Sequence, residues 1–222
     1  FMVTLEKHIK SVKDVLTSED IIVFEFESLK GKKFAAIYAD GLADKQLIGE
    51  LVAKPLKAAE NDADAEDVKK LLASPEVKDC KKAKDAIKEI SDGNVALFID
   101  GESDFYIIGL KNPPGRTVAE PPTQVTLKGP REGFTEDIKT NLGLVRKRLK
   151  SDKLKVKTVK CGERSDTAVA LVYLDGVCAK GLPERVEKQI AAHEIDLVPD
   201  SSYISRFISG KPRSVFKRNG TS

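Results

Sequence analysis

The chain has 222 residues, of which 41% are hydrophobic and 33% are charged, a balance typical of soluble globular proteins with one large or two small domains. Its 38 Lys and Arg residues nearly match its 35 Asp and Glu residues, and the net charge of +3 does not by itself indicate a polyanionic partner. The sequence has no apolar run of roughly 18 residues and no opening signal peptide, so we expect an excised soluble region without a transmembrane helix.

The first elements of the chain read as helix, strand, strand, helix. Strands are predicted at 21–26 and 34–39, with a turn between them and Asp40-Gly41 after the second. The helix that follows carries Leu47 and Leu51. The helix that comes before them is amphipathic, spans 4–17, and has an apolar stripe of Leu5, Ile9, Val12 and Leu16.

The later part of the chain repeats this order. Strands are predicted at 154–159 and 168–174, and Asp175-Gly176 ends the second of them. Ile138 lies 133 positions after Leu5, and Asp175 lies 135 positions after Asp40. One such unit exposes a sheet face and needs a partner layer. We therefore predict an α/β fold of two similar lobes, each a small mixed sheet with flanking helices.

The region between the two copies is less regular. Helices are predicted at 63–72 and 81–90, and strands at 95–99 and 105–110. The Pro-rich stretch from Asn112 to Pro122 then predicts a stiff linker. We place the domain boundary there, with an N-terminal lobe at 1–122 and a C-terminal lobe at 123–222.

A short motif opens the second lobe: Gly129-Pro130-Arg131-Glu132-Gly133-Phe134-Thr135-Glu136. Pro130 between two glycines predicts a rigid bend. Thr135 is the predicted N-cap of the next helix. The apolar stripe of that helix is Ile138, Leu142, Val145 and Leu149.

This motif, with Asn141, Arg146 and Arg148 downstream, resembles the signature of the A subunit of GerA-type spore germinant receptors. Segments 154–160, 169–176 and 195–204 are also similar to that family. The resemblance implies a receptor in the spore inner membrane, with this region on the cytoplasmic side. It implies B and C subunits, and other A subunits, as partners, and attachment to the membrane through a domain absent from this chain.

The arginines of the motif and its helix have two interpretations. Flanking arginines commonly lay their stems over apolar surface and keep the guanidinium in water. Alternatively, they bind carboxylates of a neighbouring lobe or subunit in a bidentate manner. On the second interpretation, the candidate interface residues are Arg131, Glu132, Phe134, Glu136, Asn141, Arg146 and Arg148.

Basic residues are dense between Arg146 and Lys160, where Asp152 is the single acidic residue. Such a patch could face lipid headgroups, an acidic subunit, or nothing. Nucleic acid is the weaker alternative, because no aromatic residue interrupts the run.

The sequence contains few candidate catalytic or metal-binding residues. Cys80, Cys161 and Cys178 have no metal-binding spacing, so we expect free thiols of a reducing compartment. His8 and His193 are too isolated to complete a metal or nucleophile site. The Asp-Gly pairs at Asp40, Asp100 and Asp175 favour turns over a cation site. We predict no enzyme activity, metal or cofactor.

The predicted function is that of the N-terminal region of a germinant receptor A subunit. It would couple nutrient sensing to germination through subunit assembly and signal transmission. The alternative is a nutrient-binding module that holds a small molecule between its two lobes.

Overall fold

The computed structural model describes residues 4–59, 65–112 and 133–192, together with the four single residues Asp196, Val198, Ile204 and Ile208. Contacts group the chain into two compact units, Phe1–Asp152 and Lys153–Ser222. Both units combine helices with a sheet, and the predicted α/β class is confirmed. The expectation of mixed sheets needs one correction, because every described strand pair is antiparallel.

The first unit contains α1 Leu5–Lys13, β1 Ile21–Glu27, β2 Lys33–Ala39, α2 Lys45–Leu47, a π-helical segment Ile48–Ala53, α3 Lys54–Lys57, α4 Ala65–Leu71, β3 Val77–Cys80, α5 Ala83–Ser91, β4 Val95–Ile99, β5 Phe105–Ile108 and α6 Ile138–Arg148. The second unit contains β6 Leu154–Cys161, β7 Thr167–Leu174 and α7 Leu182–Ala191.

The first unit is built around a five-stranded antiparallel sheet in the order β1-β2-β4-β5-β3. The central strands β2 and β4 are almost entirely apolar because both faces of the sheet are covered. Alternate residues of β2 therefore enter two different cores. Phe34 and Ala36 pack with the π-helical segment, α3 and α4, while Ala35 and Ile37 pack with α1 and α5.

The edge strand β3 was not predicted from the sequence. It is four residues long, and its middle residues Lys78 and Asp79 are exposed. Its pairing with β5, from Val77↔Ile108 to Cys80↔Phe105, places it in the sheet. So short and polar a segment lacks the apolar pattern by which a strand is predicted.

The second unit contains a hairpin in which β6 and β7 pair over eight consecutive positions. Helix α7 packs on one face of it, where Val186 and Ile190 meet Val159 and Cys161. Helix, strand, strand and helix thus occur twice in the chain, as predicted.

The turns that end β2 and β7 have the same structure. Asp40 N donates to Asp20 O and Asp175 N donates to Lys153 O, both at 2.8 Å. Gly41 and Gly176 both have positive φ, 82° and 73°. These two Asp-Gly pairs are therefore turns that need glycine. At the third pair, the side chain of Asp100 accepts a hydrogen bond from Leu5 N at the start of α1, at 2.9 Å.

The predicted boundary between residues 122 and 123 lies outside the described residues and stays a prediction. The nearest described element after it is helix α6. We expected this helix in the second unit, but it groups with the first. A buried ion pair and a close backbone approach, described below, account for this grouping.

Candidate functional site

Helix α6 begins at Asp137 and not at Thr135, the predicted N-cap. The Asp137 carboxylate accepts hydrogen bonds from the backbone N–H groups of Lys139 and Thr140. It also accepts one from the Thr140 hydroxyl at 2.6 Å. These bonds stabilise the ionised carboxylate and lower the pKa of Asp137, the Thr140 hydroxyl contributing most.

Thr135 is held instead by Asn141, one turn into the helix. Thr135 N donates to Asn141 Oδ1 at 2.7 Å, and Asn141 Nδ2 donates to Thr135 O at 2.7 Å. Both the oxygen and the nitrogen of the Asn141 amide bind the Thr135 backbone, so the segment before the helix is attached to the helix itself. Its neighbours Phe134, which is 61% exposed, and Glu136 point to solvent from this fixed segment.

Arg146 is the buried anchor of the helix. Its Nε and Nη2 donate to the two carboxylate oxygens of Asp20, Nη2 to Oδ1 at 2.6 Å. Nη2 also donates to Ser18 Oγ at 3.1 Å, and Ser18 Oγ donates to Asp20 Oδ1 at 2.5 Å. The side chains of Arg146 and Asp20 are 1% and 3% exposed. This geometry is a bidentate, charge-assisted pair that joins residues 126 positions apart.

Of the two interpretations, Arg146 therefore does not keep its guanidinium in water; it binds a carboxylate in a bidentate manner, and that carboxylate, Asp20, belongs to the predicted N-terminal lobe. Helical periodicity placed Arg146 beside the apolar stripe, but it could not show that the buried carboxylate of Asp20 would be its partner. Asp20 directly precedes strand β1. Its position directly before an apolar strand was the one available signal, because a carboxylate entering a buried strand needs a partner.

A second contact between α6 and the rest of the first unit is the close approach of Gly143 to Gly41. A Cβ atom on Gly143 would lie 2.5 Å from Gly41 O, and one on Gly41 would lie 2.3 Å from Lys139 O. Only glycine at both positions permits so close an approach. Asp40, next to this contact, pairs with Lys139 at 3.5 Å and with Lys45 at 2.9 Å.

These contacts change the predicted apolar face of the helix. The buried residues are Gly143, Leu144 and Arg146, whereas Leu149 is 45% exposed. The helix is thus oriented by its contact with Gly41 and its ion pair, and the stripe centred on Leu142 and Leu149 is rotated away from full burial.

The basic run from Arg146 to Lys160 does not stand as one patch. Arg146 is buried against Asp20, and Lys150 pairs with Asp92. In the second unit, Lys157 pairs with Glu187 at 2.6 Å and Lys160 with Asp166 at 2.5 Å. Carboxylates outside the run therefore neutralise much of its charge, which a count of charges within the run could not show.

The remaining predicted interface residues lie in different settings. Arg148 is exposed in the last turn of α6. Arg131 and Glu132 lie outside the described residues. The structure thus brings together Phe134, Glu136 and Asn141 at the start of the helix, with Arg146 two turns further on.

Two other classes of site, a metal centre and a membrane span, are absent from the described residues. No group of three or more His, Cys, Asp or Glu side chains there is arranged to hold a metal ion. None of the helices in that part of the chain has the length and hydropathy needed to cross a bilayer. Cys80, Cys161 and Cys178 are free thiols.

Comparison with known proteins identifies the family. A family model described as Bacillus/Clostridium GerA spore germination protein matches residues 5–222. This chain belongs to the GerA family. Among its relatives, spore germination protein KA of Bacillus subtilis (strain 168) is 30% identical over 220 residues, 96% of this chain. Spore germination protein A1 of the same organism is 28% identical over 199 residues, 90% of this chain.

The same fold occurs in a solved structure. The N-terminal domain of the A subunit of the Bacillus megaterium spore germinant receptor GerK3 is similar, with a TM-score of 0.65 and 21% identity. The match covers 88% of this GerA-family chain and 76% of that one. The chain spans only 40% and 41% of the lengths of the two curated relatives named above, so most of each relative lies outside the matched region.

Proposed function

We propose that this chain is the N-terminal region of a spore germinant receptor A subunit and that it acts as an interaction scaffold. It couples nutrient sensing to germination through subunit assembly and signal transmission. Its partners are the B and C subunits and other A subunits. Parts of the protein outside this sequence attach it to the spore inner membrane, with this region on the cytoplasmic side.

The observation that carries the proposal is the fixed presentation of Phe134. Single exposed apolar residues are common on protein surfaces and need no explanation. Phe134 differs because Asn141 fixes the next residue and Arg146 fixes the helix. A rigid aromatic side chain binds a partner with little loss of conformational entropy, which is typical of interface hot spots.

Glu136 adds a charge to the same short segment. It is exposed and lies two residues from Phe134. We propose that Phe134 enters an apolar pocket of a neighbouring subunit while Glu136 meets a basic residue at the rim. Arg131 and Glu132 belong to the same motif and extend this interface in the proposal.

The alternative function, nutrient binding, has weaker support in the first unit. A surface depression of about 420 Å³ there is lined by Glu66, Lys69, Lys70, Asp79 and Tyr106. Lys69 and Asp79 already pair with each other at 2.5 Å. Ligand sites are mostly apolar with a few converging polar groups, and this open polar depression lacks that character.

The test is Phe134→Ala in the full-length subunit, expressed in spores that lack their own copy. The B and C subunits that co-purify with it are measured. We expect their recovery to fall severalfold while the amount of the A subunit is unchanged. Leu29→Ala is the matched control, because Leu29 is 74% exposed in the turn between β1 and β2. Equal recovery of the subunits with both variants would overturn the interface assignment.

A further inference from the structure

Strands β1 and β7 each have one edge without a strand partner among the residues that the structure describes. Strand β1 has seven residues and pairs with β2 on one side. Strand β7 has eight residues and pairs with β6 on one side. The edge strand at the other end of the large sheet, β3, is different, since it has four residues and exposes Lys78 and Asp79.

Strand β7 carries none of the usual protection, and β1 carries it only toward its end, where Glu25 and Glu27 are exposed. Proteins block sheet edges with lysine, proline, bulges or very short strands, because unpaired backbone groups recruit other strands. Strand β7 has the sequence Thr-Ala-Val-Ala-Leu-Val-Tyr-Leu, without charge or proline, and its register with β6 is unbroken. The first four residues of β1, 21–24, are equally uncharged.

The internal repeat indicates which kind of partner can pair with the open edge of β7. Strand β2 occupies the position of β7 in the first copy of the repeat, and its second edge is paired with β4. That pairing is antiparallel and runs from Phe34↔Ile99 to Ile37↔Ala96. The same edge of β7 therefore has the geometry of a strand acceptor, to which an apolar strand can add by main-chain hydrogen bonds.

We propose that the open edge of β7 in one copy of this chain pairs with the open edge of β1 in a second copy. Pairing β1 with β1 would bring the exposed Glu25 and Glu27 of both copies to one seam, and like charges across strands are destabilising. Pairing β7 with β7 would leave every β1 edge open. Head-to-tail pairing places the carboxylates against an uncharged strand and uses both edges of each copy.

The contact deepens one part of the function proposed above, the pairing with other A subunits, and it uses neither Phe134 nor the α6 helix. Loss of B and C subunits from a Phe134→Ala receptor leaves the strand contact intact. Loss of self-association by the isolated chain says nothing about those subunits. The two proposals therefore fail separately.

The experiment measures self-association of the purified chain by sedimentation velocity, from micromolar to near-millimolar concentration. Val23→Lys adds a charge to β1 and Ala170→Lys adds one to β7, and both positions are partly exposed. Leu29→Lys and Val177→Lys are the controls, because both residues lie in exposed turns beside these strands. Circular dichroism and the unfolding midpoint establish that each variant is folded.

We expect the parent chain and both control variants to associate, and each strand variant alone to remain monomeric. An equimolar mixture of the two strand variants must form a dimer of one copy of each, because every such pair retains one intact β1 edge and one intact β7 edge. Association of the Val23→Lys variant alone would instead show pairing of β7 with β7 and overturn the proposal. A parent chain that stays monomeric throughout would also overturn it and assign these edges to a different polypeptide.

Discussion

The turn at Asp40-Gly41 in the first unit and the turn at Asp175-Gly176 in the second have the same backbone hydrogen bonds but different surroundings. Helix α6 crosses Gly41 so closely that any side chain there would overlap Lys139 O. No atom of the described residues lies within 4 Å of a Cβ atom built on Gly176, and the next residue, Val177, is 69% exposed. Local sequence therefore determines the turn, and distant residues determine what covers it.

The second strands of the two repeats differ in the same way. Strand β2 is buried from Phe34 to Ala39 between two strands and two layers of helices. Strand β7 has a similarly apolar sequence, yet most of its residues are only partly buried. In the first unit β4 pairs with the second edge of β2, and α6 packs on the turn after β2. Among the described residues of the second unit, no strand pairs with the second edge of β7 and no helix packs on the turn after it.

The largest expected effect comes from breaking the anchor of α6. Arg146→Met leaves the Asp20 carboxylate buried without its cation, so we expect the free energy of unfolding to fall by about 3–5 kcal/mol. Arg148→Met, on the exposed side of the same helix, should change it by no more than about 0.5 kcal/mol. Urea unfolding followed by circular dichroism measures both. Equal effects of the two changes would show that the ion pair does not hold the helix.

A double-mutant cycle with Asp20→Asn sharpens this test. If the two side chains act through each other, the double variant should lose far less stability than the sum of the single variants, with a coupling of about 1–3 kcal/mol. Additive losses would mean that Arg146 and Asp20 stabilise the first unit independently.

The next effect compares the two turns directly. Gly41→Ala combines the cost of positive φ with overlap against Lys139, about 3 kcal/mol in total. Gly176→Ala carries the φ cost alone, about 1–2 kcal/mol, because none of the residues placed by the structure lies near its Cβ position. The difference between the two unfolding free energies isolates the packing of α6 on the turn. Identical losses would contradict that close packing.

A smaller effect is expected at the start of α6. Asp137→Ala removes the acceptor for two backbone N–H groups and should cost about 1 kcal/mol. Glu136→Ala, one residue earlier and exposed, is the control and should have almost no effect on unfolding. A silent Asp137→Ala would return the cap to Thr135, the residue that the sequence indicated.

The smallest effect concerns pH. Hydrogen bonds from Lys111, at 2.6 Å, and then from Lys150 lower the pKa of Asp92. Because the folded-state pKa lies below the unfolded one, the stabilisation is present above about pH 4 and is lost as the pH falls through the folded pKa. Asp92→Asn should reduce this acid-induced loss by less than about 1 kcal/mol. Unfolding midpoints from about pH 6 to about pH 2 measure it, and an unchanged pH profile would contradict the pairing.

The sequence was informative where structure is local and periodic. The strand at 95–99, the strand predicted at 154–159 and observed as Leu154–Cys161, the two amphipathic helices of the repeat and the Asp-Gly turns all follow from short patterns of apolar residues and glycine. Strand β3 escaped prediction because it is short and polar and is defined by its partner β5.

The arrangement of the candidate site depends on contacts that no local pattern contains. The face of α6 was misplaced because a glycine and an arginine, and not the leucine stripe, make its closest contacts. Exposure of Phe134 and Glu136 follows from the bonds between Asn141 and Thr135, which lie six residues apart. Arg131 and Glu132 remain predicted interface residues.

The most direct test of the scaffold assignment is the thermal unfolding of this chain with and without a panel of germinant amino acids, sugars and salts. A ligand that binds the folded chain must stabilise it, by about 2.7 kcal/mol at one hundred times its dissociation constant. The scaffold account predicts no rise in the unfolding midpoint with any nutrient at high millimolar concentration. A clear, saturable rise with one nutrient, absent with its close analogues, would make this region the sensor and contradict the account.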